Sequence, residues 1–164
     1  MIISDKKRKL KRAVTHDSLF PAFAVLDPET TYTLTPKQVA NGIVDAFSHA
    51  LEQYVASGVN TAPLQDRQAE AIMCTLKELA PVALSKPNDY GVKSNLMWCE
   101  SQALDGLIGV GVEQCWASHA IAHELTAAFN IDHAQTVALV IPKVLEFEKE
   151  SRMFKLAQLA VRVF

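Results

Sequence analysis

The chain has 164 residues, with 16 Lys and Arg against 18 Asp and Glu, for a net charge of -2. That near balance gives no bulk attraction to nucleic acid or to an anionic membrane surface. Hydrophobic residues make up 49% and charged residues 21%, with only 6 Gly and 7 Pro, so the composition excludes a disordered chain and supports a globular one with a real core.

The first residues differ from the rest. Lys6 to Arg12 holds six cations in seven positions, leaving 10 basic against 18 acidic groups elsewhere. The segment "MIISDKKRKLKR" has its charges where the apolar part of a signal peptide should be, and no later stretch is apolar enough to span a bilayer, so the expectation is a cytoplasmic protein with no membrane partner. The basic run reads as a solvated edge hairpin kept unpaired by lysine. A nucleic-acid surface is the competing reading; no aromatic residue is interleaved before Phe20 to stack on bases, so no nucleic-acid partner is expected. Next, Ala22 to Leu26 is a short apolar run between Pro21 and Pro28, which predicts a buried strand.

From Thr35 onward the punctuation is helical. Thr35 as N-cap, Pro36 at the first helical position and Gln38 as reciprocal partner predict a helix running to about Ser57 and stopped by Gly58. Its apolar stripe is Val39, Ile43, Phe47, Ala50, Leu51 and Tyr54. A second helix follows Pro63, with Ala69, Ile72, Met73, Leu76, Leu79 and Ala80 facing the core until "SKPND" breaks it. A third is predicted from Tyr90 to about Leu107, ending in "GLIGVG", a fourth from Glu113 to Phe129 and a fifth from Gln135 to Glu148 with Pro142 as a kink or break. A last helix starts near Arg152. The expected fold class is all-α with one stray strand. Cys74, Cys99 and Cys115 are odd in number and form no C-x-x-C pair, so they are expected to be reduced and mostly buried.

The histidines carry the chemistry. His119 and His123 lie one turn apart on the fourth helix, whose only charges are Glu113 and Glu124, so that helix is expected to be buried nearly all round. Such a pair is either satisfied by carbonyls and carboxylates or ligates a metal. His133 follows 14 residues after His119, where a short turn could bring it back beside the helix; on its own it reads as a helix N-terminal residue. Asp45 and His49 are also four apart, on the face of the first helix opposite Phe47 and shared with Glu52, and by periodicity alone they read as a solvated acid–imidazole pair. Together these residues offer mixed nitrogen and oxygen donors for a divalent cation of the zinc or iron kind. A further possibility, a helical metal phosphohydrolase, draws on the adjacent His16 and Asp17, although "THDSLFP" reads as loop rather than bundle helix.

The strings "VANGIVDAFSHALEQYV" and "WASHAIAHELTAAFNIDHAQTVALVIP" resemble the iron-containing alcohol dehydrogenases, in particular the butanol dehydrogenase-like branch that reduces aldehydes with NADPH; "PAFAVLDPETTYTLTP" and "NLMWCESQALDGLIGVGV" extend the resemblance over most of the chain. The resemblance implies hydride transfer between a primary alcohol or aldehyde and NAD(P), with a divalent metal, Fe²⁺ or Zn²⁺, held by Asp45, His49, His119 and His133. It implies His123 beside the substrate and nicotinamide and Lys11 on the cofactor. Family members are more than twice this length, and "GLIGVG" does not follow a strand as a phosphate loop should. The expectation is therefore an interior piece: residues 1–34 left from a nucleotide-binding domain with its short strand, and residues 35–164 as the helical metal-binding domain of the iron-containing alcohol dehydrogenase and dehydroquinate synthase-like fold, truncated at the C-terminus. Such a piece would be inactive alone, or only a metal-binding fragment, while the full-length parent would be a homodimer.

Overall fold

A computed structural model describes residues 1–56 and 62–164. The predicted stop of the first long helix at Ser57 and Gly58 lies outside the described residues. Two short strands, β1 (Ile2–Asp5) and β2 (Leu10–Ala13), precede six helices: α1 (Pro36–Val55), α2 (Pro63–Ser85), α3 (Tyr90–Gln102), α4 (Ala117–Phe129), α5 (His133–Phe147) and α6 (Met153–Arg162). None of the described helices is long and apolar enough to cross a membrane.

The basic run folds as an antiparallel hairpin, with Ile2 opposite Ala13 and Asp5 opposite Leu10. Its turn is closed by the Asp5 carboxylate, which accepts from the Arg8 amide at 3.0 Å, and by Lys9 in the left-handed region at φ 54°. β2 packs against α4. The predicted strand over Ala22 to Leu26 does not form: the segment has no regular secondary structure, and Phe23 and Val25 are each 81% exposed. An apolar run bounded by prolines becomes a strand only beside a partner that takes up its amides and carbonyls. No described strand lies there to do so.

α1 is the central helix, packed against α2, α3, α5 and α6. Its N-terminus carries the expected capping box: the Gln38 amide donates to Thr35 Oγ1 at 3.3 Å, and the Thr35 amide to Gln38 Oε1 at 2.9 Å. Of the predicted stripe, Val39, Ile43, Ala50, Leu51 and Tyr54 are buried in one core with Met73 and Leu76 of α2, and Phe47 is partly buried against it. α5 continues past Pro142 to Phe147. α3 ends at Gln102, earlier than Leu107, because Asp105 accepts from both Gln102 Nε2 at 2.8 Å and the Leu107 amide at 2.9 Å, and Gly106 turns the chain at φ 96°. "GLIGVG" thus contains a single 3₁₀ turn, Leu107–Gly109.

α4 also departs from expectation. It starts at Ala117 rather than Glu113 and buries only one face, through Ser118, His119 and Ala122, while Ile121 is 48% and Phe129 68% exposed. An uncharged helix is buried all round only when something covers its second face, and no described residue covers this one. Cys99 is buried, whereas Cys74 and Cys115 are half-buried; all three are free thiols.

A buried polar network ties α6 to α1 and α2. Lys155, 2% exposed, sits 2.5 and 2.6 Å from the two Asp66 oxygens. Gln158 donates to Asp66 at 2.9 Å and to the Tyr54 hydroxyl at 2.7 Å, and that hydroxyl donates to Glu70 at 2.9 Å. Burial first, and Glu70 and Asp66 with it, push the Tyr54 phenol well above its ordinary range.

Candidate metal centre

α1 sets the floor of the site. Asp45, His49 and Glu52 fall four and three residues apart, so one stripe carries all three. That stripe faces α4 and α5, with Glu52 buried and Asp45 and His49 half-buried, against the solvated reading from periodicity alone. α4 supplies His119 and His123. The chain then leaves α4 through Asn130, left-handed at φ 55°, and re-enters a helix three residues later with His133 as its first residue. Thr126 and Thr136 hydrogen-bond across α4 and α5 at 2.9 Å, and Thr136 Oγ1 donates to the His133 carbonyl at 2.7 Å, which fixes the spacing of the two helices at this level.

Four imidazoles and one carboxylate gather here. The tightest trio of donor atoms among the described residues belongs to Asp45, His49 and His119, all within 4.8 Å of one another. His133 joins through Asp45, its Nε2 lying 3.6 Å from Oδ1, while His119 Nε2 lies 3.9 Å from the same oxygen. The His49 and His119 rings stack at 4.7 Å, and His133 stands 5.5 Å from His119 and 4.9 Å from His123. His123 is outside the trio and is linked to it through His133. Trp116, which sequence reasoning did not single out, presents its ring edge-on to His49 at 6.1 Å and to His119 at 5.3 Å.

Burial disfavours the charged form of three of these imidazoles, His49, His123 and His133. Burial lowers His49 and His123 below the ordinary histidine range, and burial lowers His133 to about 4 against the opposing pull of Asp45. Lys11, on β2, reaches this charge environment: burial lowers its ammonium while Asp45 holds it up, and its charge helps to depress His123 and His133. Neutral imidazoles have free lone pairs, the form in which they bind metals.

Proton bookkeeping shows why the cluster suits a cation. Asp45 Oδ1 and His133 Nδ1 are buried atoms with no hydrogen-bond partner. Ser48 Oγ is 3.5 Å from His119 Nε2, but its single proton goes to the Asp45 carbonyl at 2.6 Å. Asp45 Oδ1 therefore faces imidazole nitrogens at 3.6 and 3.9 Å with no hydrogen bond to either, an arrangement that costs energy unless a positive charge fills it. Two atoms each about 2.1 Å from a tetrahedral ion are roughly 3.4 Å apart, close to the 3.6 Å between Asp45 and His133.

Glu52 is the residue that sequence reasoning left without a role. It is 5% exposed and reaches the first turn of α4, accepting from the Ser118 amide at 2.7 Å, the His119 amide at 3.3 Å and His119 Nδ1. Burial alone would raise its carboxyl, but the hydrogen bonds from His119 and Ser118 prevail and hold it below the ordinary carboxylate range. His16 and Asp17 take no part: they lie at an exposed 3₁₀ turn, where His16 Nδ1 pairs with Ser18 Oγ at 2.8 Å.

Comparison with known proteins gives a consistent relationship. Residues 39–164 match the Fe-containing alcohol dehydrogenase family, C-terminal. The NADPH-dependent aldehyde reductase YqhD of Escherichia coli is 51% identical over 163 residues, covering 99% of this chain and 42% of its own length. The NADH-dependent butanol dehydrogenase A of Clostridium acetobutylicum is 39% identical over 146 residues, or 89% of this chain and 37% of its own. The crystal structure of E. coli YqhD superimposes with a TM-score of 0.96 at 51% identity, over 99% of this chain and 41% of that one. That of an NADH-dependent butanol dehydrogenase A from Thermotoga maritima gives 0.95 at 30% identity, with the same coverage. The chain thus spans about two-fifths of the length of the curated relatives it matches. With its helical body, its gathered histidines and these matches in agreement, the chain belongs to the Fe-containing alcohol dehydrogenase family.

Proposed function

We propose that this chain is the metal-holding part of an NAD(P)-dependent alcohol dehydrogenase or aldehyde reductase acting on small alcohols and aldehydes. Asp45, His49, His119 and His133 hold one divalent cation, Fe²⁺ or Zn²⁺, since a donor set of three imidazoles and one carboxylate suits both. The observation that carries this reading is the buried Asp45 Oδ1, without a hydrogen-bond partner and facing the imidazole nitrogens of His119 and His133. Bound there, the cation supplies Lewis-acid chemistry for the negative charge that develops on the substrate oxygen.

The chain's own residues do the rest. His123 lies beside His133 but outside the ligand trio, its imidazole lowered below the ordinary histidine range by burial, and takes or returns the hydroxyl proton. Lys11 brings a positive charge from the hairpin for the cofactor. Residues 1–34 and 35–164 are portions of two domains of the whole protein. The described glycine cluster forms a single 3₁₀ turn and opens no helix that could cradle a pyrophosphate, so hydride transfer needs a separate nucleotide-binding part. The free thiols suit a reducing cytoplasm.

The test has two arms. The chelator-stripped chain, titrated with Zn²⁺ in a calorimeter, should bind one equivalent. Joined to the nucleotide-binding part of a relative, it should consume NADPH with butyraldehyde only when metal is restored, while the chain alone consumes none. No saturable binding of Zn²⁺, or unchanged turnover after stripping, overturns the reading.

A further inference from the structure

We infer that Glu52 is a positioning residue of the site: its carboxylate fixes His119 in the tautomer whose Nδ1 carries the proton and whose Nε2 lone pair faces Asp45. The inference rests on the proposed reading that His119 is a metal ligand, and it adds a residue that belongs to neither the ligand set nor the substrate.

The first turn of α4 starts at Ala117 after Trp116, a residue that makes no side-chain cap. The orphan amides of a helix N-terminus need acceptors. Glu52, from α1, supplies them: Oε1 takes the Ser118 amide at 2.7 Å and Oε2 the His119 amide at 3.3 Å. The same Oε2 accepts from His119 Nδ1. An ionised carboxylate has no proton to give, so the shared proton must come from the imidazole, and in the neutral ring Nε2 is left with its lone pair. That nitrogen points to Asp45 Oδ1, 3.9 Å away, while the nearby Ser48 has spent its proton on the Asp45 carbonyl. A carboxylate behind a metal-binding histidine orients the ring and raises its basicity. Here one buried group does so while capping the helix that bears the ring, so α1 sets the position of a ligand on α4.

Glu52→Gln separates the two roles. Its amide oxygen can keep the Ser118 contact, but its NH₂ then faces Nδ1. The imidazole must accept there, its proton moves to Nε2, and Asp45 Oδ1 receives a hydrogen bond where a cation would sit. Long-range ¹H–¹⁵N spectra of the metal-free protein at neutral pH should show His119 protonated at Nδ1 in the wild type and at Nε2 in E52Q. Co²⁺ titration should show affinity about 10–100-fold weaker in E52Q, with unchanged helical circular dichroism. A wild-type His119 protonated at Nε2 overturns the inference by itself, even if E52Q fails to fold. So does an E52Q protein with wild-type tautomer and wild-type Co²⁺ affinity. A wild type that binds no Co²⁺ while holding His119 in the stated tautomer would sink the metal reading and leave the positioning role standing.

Discussion

Asp45→Asn should weaken Zn²⁺ binding more than about 100-fold, beyond the range for residues that only orient ligands. Asp45 is the sole anion of the proposed ligand set, and burial disfavours the charged form of His49 and His133 beside it. Asparagine keeps the shape but offers a neutral carbonyl oxygen and an NH₂ group, which can donate to the imidazole nitrogens now facing Oδ1 at 3.6 and 3.9 Å. The metal-free fold should lose nothing, because the wild-type oxygen is buried without a hydrogen-bond partner. Calorimetric titration and urea unfolding of the stripped protein read both effects. An affinity within a few-fold of wild type, with the fold intact, would remove Asp45 from the site.

Lys155→Ala is expected to cost about 3–5 kcal/mol of stability, because it leaves a buried carboxylate without its cation. Asp66 is 4% exposed and takes both of its short contacts from the Lys155 ammonium, with only Gln158 as a further described donor. For a chain of this size that corresponds to a fall in melting temperature on the order of 6–20 °C. Replacing both partners with apolar residues, Lys155→Met with Asp66→Leu, should recover much of the loss, since the desolvation penalty disappears with the charges. Urea unfolding decides it; a loss under about 1 kcal/mol for K155A would mean that water reaches Asp66 freely.

The elements differ in how well their sequence announced them. α1 was legible because its information is local: Thr35, Pro36 and Gln38 specify its start, and the apolar positions from Val39 to Tyr54 select its buried face. The Ala22 to Leu26 segment was misleading because strand formation depends on a neighbour, which local sequence does not report. The hairpin at Lys6 to Arg12 had a weaker hydrophobic signal, yet the side chain of Asp5 and the left-handed Lys9 closed it. For α4 the absence of charge spoke only of what the helix tolerates, not of what covers Ile121 and Phe129.

At the site, each four-residue spacing was visible, but the direction of the Asp45 and His49 face was not. Periodicity put it in solvent; the packing of α5 on α1 and the Glu52 contacts to α4 turned it inward. The resemblance, not the pattern, pointed to the inward orientation. Glu52 was visible only as a third member of that face. Its partner is the N-terminal turn of α4, which lies 66 residues away in the chain, so no local signal could assign it. A carboxylate three positions after a candidate ligand histidine, flanked by Leu51 and Gln53, was the available hint.

X-ray absorption at the zinc edge of the Zn²⁺-loaded protein reads the donors around the cation. With Asp45, His49, His119 and His133 as ligands, the expected spectrum has a light-atom shell at about 2.0–2.2 Å, with multiple scattering from three imidazoles and one oxygen donor. A sulfur shell near about 2.3 Å, or a spectrum with oxygen donors alone and no imidazole scattering, would contradict it.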